Sequence, residues 1–378
     1  MTSTRSDLPA VYLEFPDFGF GPASTLLSLL RPVARHYDLH IVSTGVAAKH
    51  VLAELPGATL HDLDTFHPDG WGAFEAIAPP GARVVSVTNP PFAGWAVGRR
   101  YCVGVVDTLD WMWGHDPTLD GARFHLVQSP LVGGPTPPSG RREYVRPIVD
   151  ASLWSSATVP APVPGEVVVG FGGMGLPGAD DLVAHYTRWF LGAALPVLIE
   201  RVPTAAVTVA GGREDLVKLV PRDWAAHPAV RVRPGLTQAE YARVARRAEH
   251  LLCSPGLASI HECATGGLTP LWQPGFSMSM LLQVRQLADT RYEHLVAWPW
   301  MTEVAEHIAG MSEEEGVRCL AERIEYTIRS ADPGGELVAA RVARYLGRPD
   351  RRGSFRVAVD NSLPDAAPLF AAHLGMMS

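Results

Sequence analysis

Short apolar runs alternate with segments of helical periodicity along most of the chain. The runs AVYLEF (10–15), DLHIVST (38–44), ARVVSVT (82–88), YCVGVVD (101–107) and RFHLVQS (123–129) each predict a strand. After the first of them, ASTLLSLLRPVARHY (23–37) places Leu26, Leu29, Leu30 and Val33 at helical spacing and predicts a helix. A second series follows a stretch rich in proline and small residues, SSATVPAPVPG (155–165), which has the composition of a linker. Its strand-like runs are EVVVGF (166–171), AAVTVAG (205–211), AVRVRPG (229–235), EHLLCSP (249–255) and LTPLWQP (268–274). From Met311 the pattern is helical, and beyond Asp350 it loses regularity. Strands that alternate with helices imply βα units and parallel sheets. The expected fold is therefore α/β, with two doubly wound Rossmann-like domains over 1–155 and 165–348. A tail over 349–378 could pack back on the first domain. Open parallel sheets take ligands at the carboxyl ends of their strands, so residues at those ends are the candidates for chemistry. Two such domains are expected to face a central cleft.

Length and charge support this division. A chain of 378 residues is about twice a typical domain. Its formal charge of −7 argues against general nucleic-acid affinity, which needs a basic surface. The four cysteines, Cys102, Cys253, Cys263 and Cys319, form no CxxC pair and no zinc-type spacing with histidine, so reduced buried thiols are expected. No signal peptide and no run of about 18 apolar residues is visible. A cytoplasmic protein without membrane insertion is expected.

Several strand ends carry chemistry. FPDFGFGPAST (15–25) is a glycine loop before a helix: Gly19 and Gly21 let a ligand approach, and Asp17 ends the strand. A tight turn with Asp17 as its cap is the plain alternative. The loop is not GxGxxG and lacks the later acidic partner of a dinucleotide site, which argues against NAD. VVDTLDWMWGHD (105–116) places Asp107 at a strand end, with Asp110, Trp111 and Trp113 behind it. A carboxylate against tryptophan can hold a ring and accept a proton. The plain alternative is a helix cap beside core tryptophans. VVVGFGGMGLPG (167–178) offers Gly170, Gly172, Gly173 and Gly175 to a phosphate, and Arg213 in VTVAGGREDL (207–216) could pair with a diphosphate or with Asp215. The strongest signal is CSPGLASIHECATGGLTPLWQP (253–274). On a helix, Ser259 and Glu262 share a face; Glu262 could accept from two ribose hydroxyls, while the helix start at Gly256 could hold the diphosphate. His261 on the neighbouring face is expected to be structural.

The order strand, small residue–Pro–Gly, Ser, Glu, Gly, strand, Pro resembles the donor-nucleotide signature of GT-B glycosyltransferases. It is similar to that of the UDP-N-acetylglucosamine transferase of peptidoglycan synthesis and of the antibiotic transferases. The resemblance implies a nucleoside-diphosphate sugar held by the second domain and a small-molecule acceptor held by the first. It matches Glu262 to the ribose, and Gly256, Ser259, Gly172, Gly173 and Gly175 to the phosphates. The VRPGLT segment, with Pro234, Gly235 and Leu236, matches the base loop. FSMSMLLQ, with Ser277, Met278 and Gln283, matches the sugar loop. Phe20, Asp110, Trp111 and Trp113 are the expected acceptor contacts. Two departures stand out. The histidine common in the first glycine loop is replaced by Pro22 or Ala23, and the acidic-Gln or His-Gln pair of the sugar loop is replaced by 277–280. Asp107, or alternatively Asp17, is then the candidate base.

The resemblance implies an inverting transferase that needs no cofactor and no bound metal, with a UDP-sugar favoured over a dTDP-sugar as donor. Its setting would be secondary metabolism, with nucleobase N-glycosylation of the cytosylglucuronate-synthase type as one option and a homodimer as another. The one DxD pattern, Asp62-Leu63-Asp64, lies in the acceptor half and reads as a surface turn. The alternatives are a GT-B-fold sugar-nucleotide 2-epimerase and a non-catalytic activating partner.

Overall fold

The computed structural model describes residues 8–131, 141–155, 161–174, 179–288, 299–348, 353–357 and 359–377. The chain divides into two compact units, Met1–Asp150 with Ala358–Ser378, and Ala151–Val357.

Among the described residues, the first unit holds seven strands: β1 (Ala10–Glu14), β2 (Asp38–Ser43), β3 (Thr59–Asp62), β4 (Arg83–Val87), β5 (Cys102–Asp107), β6 (Phe124–Gln128) and β7 (Arg142–Val145). Every pairing is parallel, in the order β3-β2-β1-β4-β5-β6-β7. The central strands are apolar on both faces because both faces are covered. Val11 and Leu13 of β1 pack with Leu26, Leu30, Phe370 and Leu374, whereas Tyr12 between them packs with Phe74 and Phe92. Phe370 and Leu374 belong to the helix Ala366–Met376, so the last helix of the chain completes this core.

Two features differ from the sequence expectation. The first helix spans Gly21–Leu30 and stops short of Tyr37. Pro32 has no N–H and its ring clashes with the carbonyl four residues back, so the periodic Val33 falls outside it. The strands β3 and β7 have no strong apolar run because they are short edges. In β3, three of four residues are exposed.

The second unit holds β8 (Val163–Gly170), β9 (Ala206–Gly211), β10 (Val230–Pro234), β11 (Ala248–Cys253) and β12 (Leu271–Trp272), all parallel, in the order β10-β9-β8-β11-β12. Pro270 and Pro274 flank β12 and limit it to two residues, since proline cannot donate to the ladder. The helix Asp180–Arg201 is long and apolar enough to cross a membrane by length and composition. Tyr186, Phe190, Leu191, Leu195 and Leu198 are fully buried, which makes it the core helix of this unit.

The strand orders locate the ligand-binding edge of each sheet. Strand order reverses between β1 and β4 in the first unit and between β8 and β11 in the second. At such a switch point the connections leave to opposite faces and open a crevice beyond the carboxyl ends.

Candidate functional site

At the switch point of the second unit, two turns meet. After β8, Gly172 takes φ +65° and Met174 takes φ +60°. Gly173 is buried beside them, and Gly175 lies outside the described residues. After β11, Ser254 N–H donates to Gly170 O at 3.1 Å, which ties this turn to the end of β8. Gly256 then opens the helix Leu257–Gly266 with no side-chain cap, so the first-turn N–H groups have no side-chain acceptor at the N-cap. Ser259 lies half-buried in the first turn, and Glu262 follows one turn on, 7% exposed.

A third turn contributes from β10. Pro234 and Gly235 are exposed, Gly235 at φ +62°, and Leu236 is buried. Thr237 and Glu240 form a capping box that fixes the start of the helix Gln238–Arg247. Buried Gln238, its first residue, donates from Nε2 to Glu262 Oε1 at 3.3 Å. Gln238 lies one residue beyond the VRPGLT segment and carries no local sequence signal. Only the tertiary approach of two helices reveals it.

Other second-unit candidates have different roles. Arg213 donates to both carboxylate oxygens of Asp215 (2.9 and 3.0 Å) and to Asp180 Oδ1 (2.9 Å), so its guanidinium is engaged by two carboxylates rather than presented to a diphosphate. In the sugar segment, Ser277 Oγ accepts from Met280 N–H at the start of the helix Met278–Ala288. Met278 and Gln283 are buried, as are Leu281 and Val284 of the same helix. Most of the segment matched to the sugar loop is therefore helix, from Met278 onward. His261 is buried, and desolvation lowers its pKa to about 3.

At the corresponding edge of the first unit, Asp107 ends β5 with 1% exposure. Its Oδ1 accepts from Leu109 N–H (2.8 Å) and its Oδ2 from the Trp113 indole (3.1 Å). Burial outweighs these donors and raises its pKa to about 6. Trp113 is 40% exposed, and Trp111 is half-buried with its indole nitrogen unpartnered. Asp110 is an interior anion instead of an acceptor contact, because Arg142 Nη1 binds its Oδ1 at 3.1 Å and Tyr144 OH reaches its Oδ2 at 3.4 Å. Phe20 stacks on His50, with centroids 4.1 Å apart.

Asp17 is a helix cap in this structure. Its carboxylate accepts from Val46 and Ala47 N–H at 3.3 and 2.9 Å, at the start of the helix Gly45–Glu54. Gly45 makes this approach possible: φ is +64°, and a Cβ there would lie 1.9 Å from Asp17 Oδ2. Gly45→Ala is expected to destabilise by about 2–4 kcal/mol through left-handed strain and a displaced cap. The urea midpoint of the first unit should fall, with nucleotide affinity unchanged.

Glu14, at the end of β1, is a further polar residue outside the candidate set, and its sequence signal is a carboxylate in a strand apolar on both faces. It is fully buried and accepts from Ser86 Oγ (2.6 Å), Asn89 Nδ2 (2.7 Å) and Thr65 Oγ1. Desolvation exceeds these donors and raises its pKa to about 7. A raised folded-state pKa means that the associated stability is complete below the ordinary value of 4.5 and is lost as pH rises through about 7. Glu14→Gln is expected to remove a loss of up to about 3 kcal/mol between pH 5 and pH 8. Chemical denaturation at both pH values checks this; parallel curves for the variant and the parent would refute it.

No family model and no curated protein matches this chain. Among solved structures, it is similar to the calicheamicin glycosyltransferase CalG4, with 16% identity over 90% of this chain and 99% of that one and a TM-score of 0.47. It is similar to Acinetobacter baumannii MurG, with 13% identity, 84% and 99% coverage and a TM-score of 0.42. It is also similar to S. aureus MnaA in a co-structure with UDP, with 11% identity, 86% and 97% coverage and a TM-score of 0.48. At these identities the likeness concerns the path of the chain alone.

Proposed function

We propose that this protein is an inverting, metal-independent glycosyltransferase. It moves a sugar from a nucleoside-diphosphate donor, a UDP-sugar before a dTDP-sugar, to a small-molecule acceptor. The observation that supports this most is the convergence at the second switch point. A glycine turn, an uncapped helix start and a buried carboxylate held by Gln238 lie on successive turns of one sheet edge. The helix start suits a diphosphate, and a carboxylate one turn along suits vicinal hydroxyls.

In this reading the second unit binds the donor. Glu262 accepts from the ribose, and the first-turn N–H groups after Gly256 receive the charge that develops on the leaving diphosphate. The first unit binds the acceptor. Its nucleophile forms a bond to the anomeric carbon as the bond to the diphosphate oxygen breaks, and its proton passes to Asp107. A role in secondary metabolism, with nucleobase N-glycosylation as one acceptor class, belongs to the same proposal.

The test is to incubate UDP- and dTDP-sugars with and without a pool of hydroxyl and heteroaromatic acceptors and to follow products by mass spectrometry. A glycosylated acceptor and free nucleoside diphosphate are expected, formed together. Sugar isomerisation without acceptor would replace this reading with an epimerase, and binding without turnover of any donor would replace it with a non-catalytic partner.

A further inference from the structure

Asp107, His125, Arg142 and Tyr144 share one face of the first sheet. Register requires it: Val105 pairs with His125 and His125 with Arg142, while Asp107 pairs with Val127 and Val127 with Tyr144. Side chains alternate along a strand, so these four stand on the same side. Arg142 and Tyr144 both reach Asp110. The other two face each other. His125 Nε2 lies 3.9 Å from Asp107 Oδ2, the ring is 2% exposed, and this nitrogen has no hydrogen-bond partner.

A buried ring nitrogen without a partner is destabilising, because its hydration is lost and nothing replaces it. The carboxylate is about 0.7 Å beyond hydrogen-bond reach. Asp107 Oδ2 is occupied by the indole of Trp113, a side chain 40% exposed. The pair is therefore one small movement from a direct bond, and the indole on the same oxygen belongs to the side chain nearest solvent.

We propose that His125 is a positioning residue for Asp107: when an acceptor draws the Trp113 indole away, His125 Nε2–H takes its place on Oδ2 and keeps the carboxylate ionised and oriented. This rests on Asp107 as the proton acceptor of the transfer reaction. The ionisable groups around His125 are Asp107 on β5, Asp110 just beyond it, His115 and Asp120 on the following segment, and Arg142 and Tyr144 on β7. Asp110 and Asp120 favour a charged ring, while Arg142 and His115 oppose it. Burial is the largest influence and lowers its pKa to about 4. At neutral pH the ring is uncharged and carries one N–H, as the role requires.

The test follows the Asp107 carboxyl carbon by NMR in protein labelled with ¹³C-aspartate, assigned with Asp107→Asn. In a Trp113→Phe background, where no indole N–H occupies Oδ2, His125→Phe keeps a ring but removes the donor, and the Asp107 midpoint should rise by about half to one pH unit relative to Trp113→Phe alone. His125→Gln in the same background restores an N–H near the Nε2 position and should return the midpoint to the Trp113→Phe value. In the parent protein, ¹⁵N shifts of the His125 ring at pH 7.5 should show the proton on Nε2, a measurement that does not require His125→Phe to fold. An unchanged or lowered midpoint on adding His125→Phe, or a bare Nε2 in the parent, overturns the proposal. These readouts need no turnover. Failure of the catalytic reading itself would appear separately, as an Asp107→Asn variant with normal transfer rates.

Discussion

Asp107→Asn is expected to lower kcat by about 10²–10⁴-fold, the usual contribution of a positioned general base. The substitution preserves shape. The amide oxygen of the variant side chain could still accept from Leu109 N–H or the Trp113 indole, so the turn after β5 should survive. What disappears is a carboxylate whose pKa burial has raised to about 6. That value leaves Asp107 mostly ionised at neutral pH, yet more basic than an exposed aspartate. The kcat/KM profile of the parent should fall on the acid side with a midpoint near 6. Nucleotide affinity should change little, because the variant alters the first unit alone. Near-parental turnover in the folded variant would mean that the acceptor needs no base from the protein. Asp17→Asn should be milder, since Asp17 acts as a helix cap.

Glu262→Ala is expected to weaken nucleoside-diphosphate binding by about tenfold to a hundredfold, the value of losing charge-assisted hydrogen bonds worth about 1.5–3 kcal/mol. The loss should shrink when the ligand lacks its ribose hydroxyls, because those are the groups Glu262 is proposed to bind. Gln238→Ala should produce a smaller loss of the same kind, since Gln238 holds Glu262 Oε1. Equilibrium dialysis with labelled UDP and its dideoxy analogue reads both effects. Equal losses for the two nucleotides would detach Glu262 from the ribose.

Much of the fold could be read from the sequence because the buried strands announce themselves. A parallel strand covered on both faces has to be an unbroken apolar run, as in VVVG of β8 and VGVV of β5. Edge strands such as β3 face water and carry no such run. Candidate residues at strand ends were visible for the same reason: Asp107 and the Gly172–Gly173 turn follow directly from where the apolar runs stop. Their partners were not visible. Arg213 meets Asp180 from 33 positions away, Asp110 meets Arg142 from 32, and Gln238 meets Glu262 from 24. Helix packing and strand register bring these pairs together, and neither leaves a local trace. The proline at 32 was a local signal that the apolar periodicity concealed.

The central claim is that the β8–β11 edge of the second unit holds a nucleoside diphosphate. Isothermal titration of UDP and dTDP into the purified protein, with Glu262→Ala titrated in parallel, tests it most directly. Saturable binding at one site per chain, weakened about tenfold or more in the variant, is the result this account predicts. No saturable heat with either nucleotide up to millimolar concentration, or equal affinity in parent and variant, would contradict it.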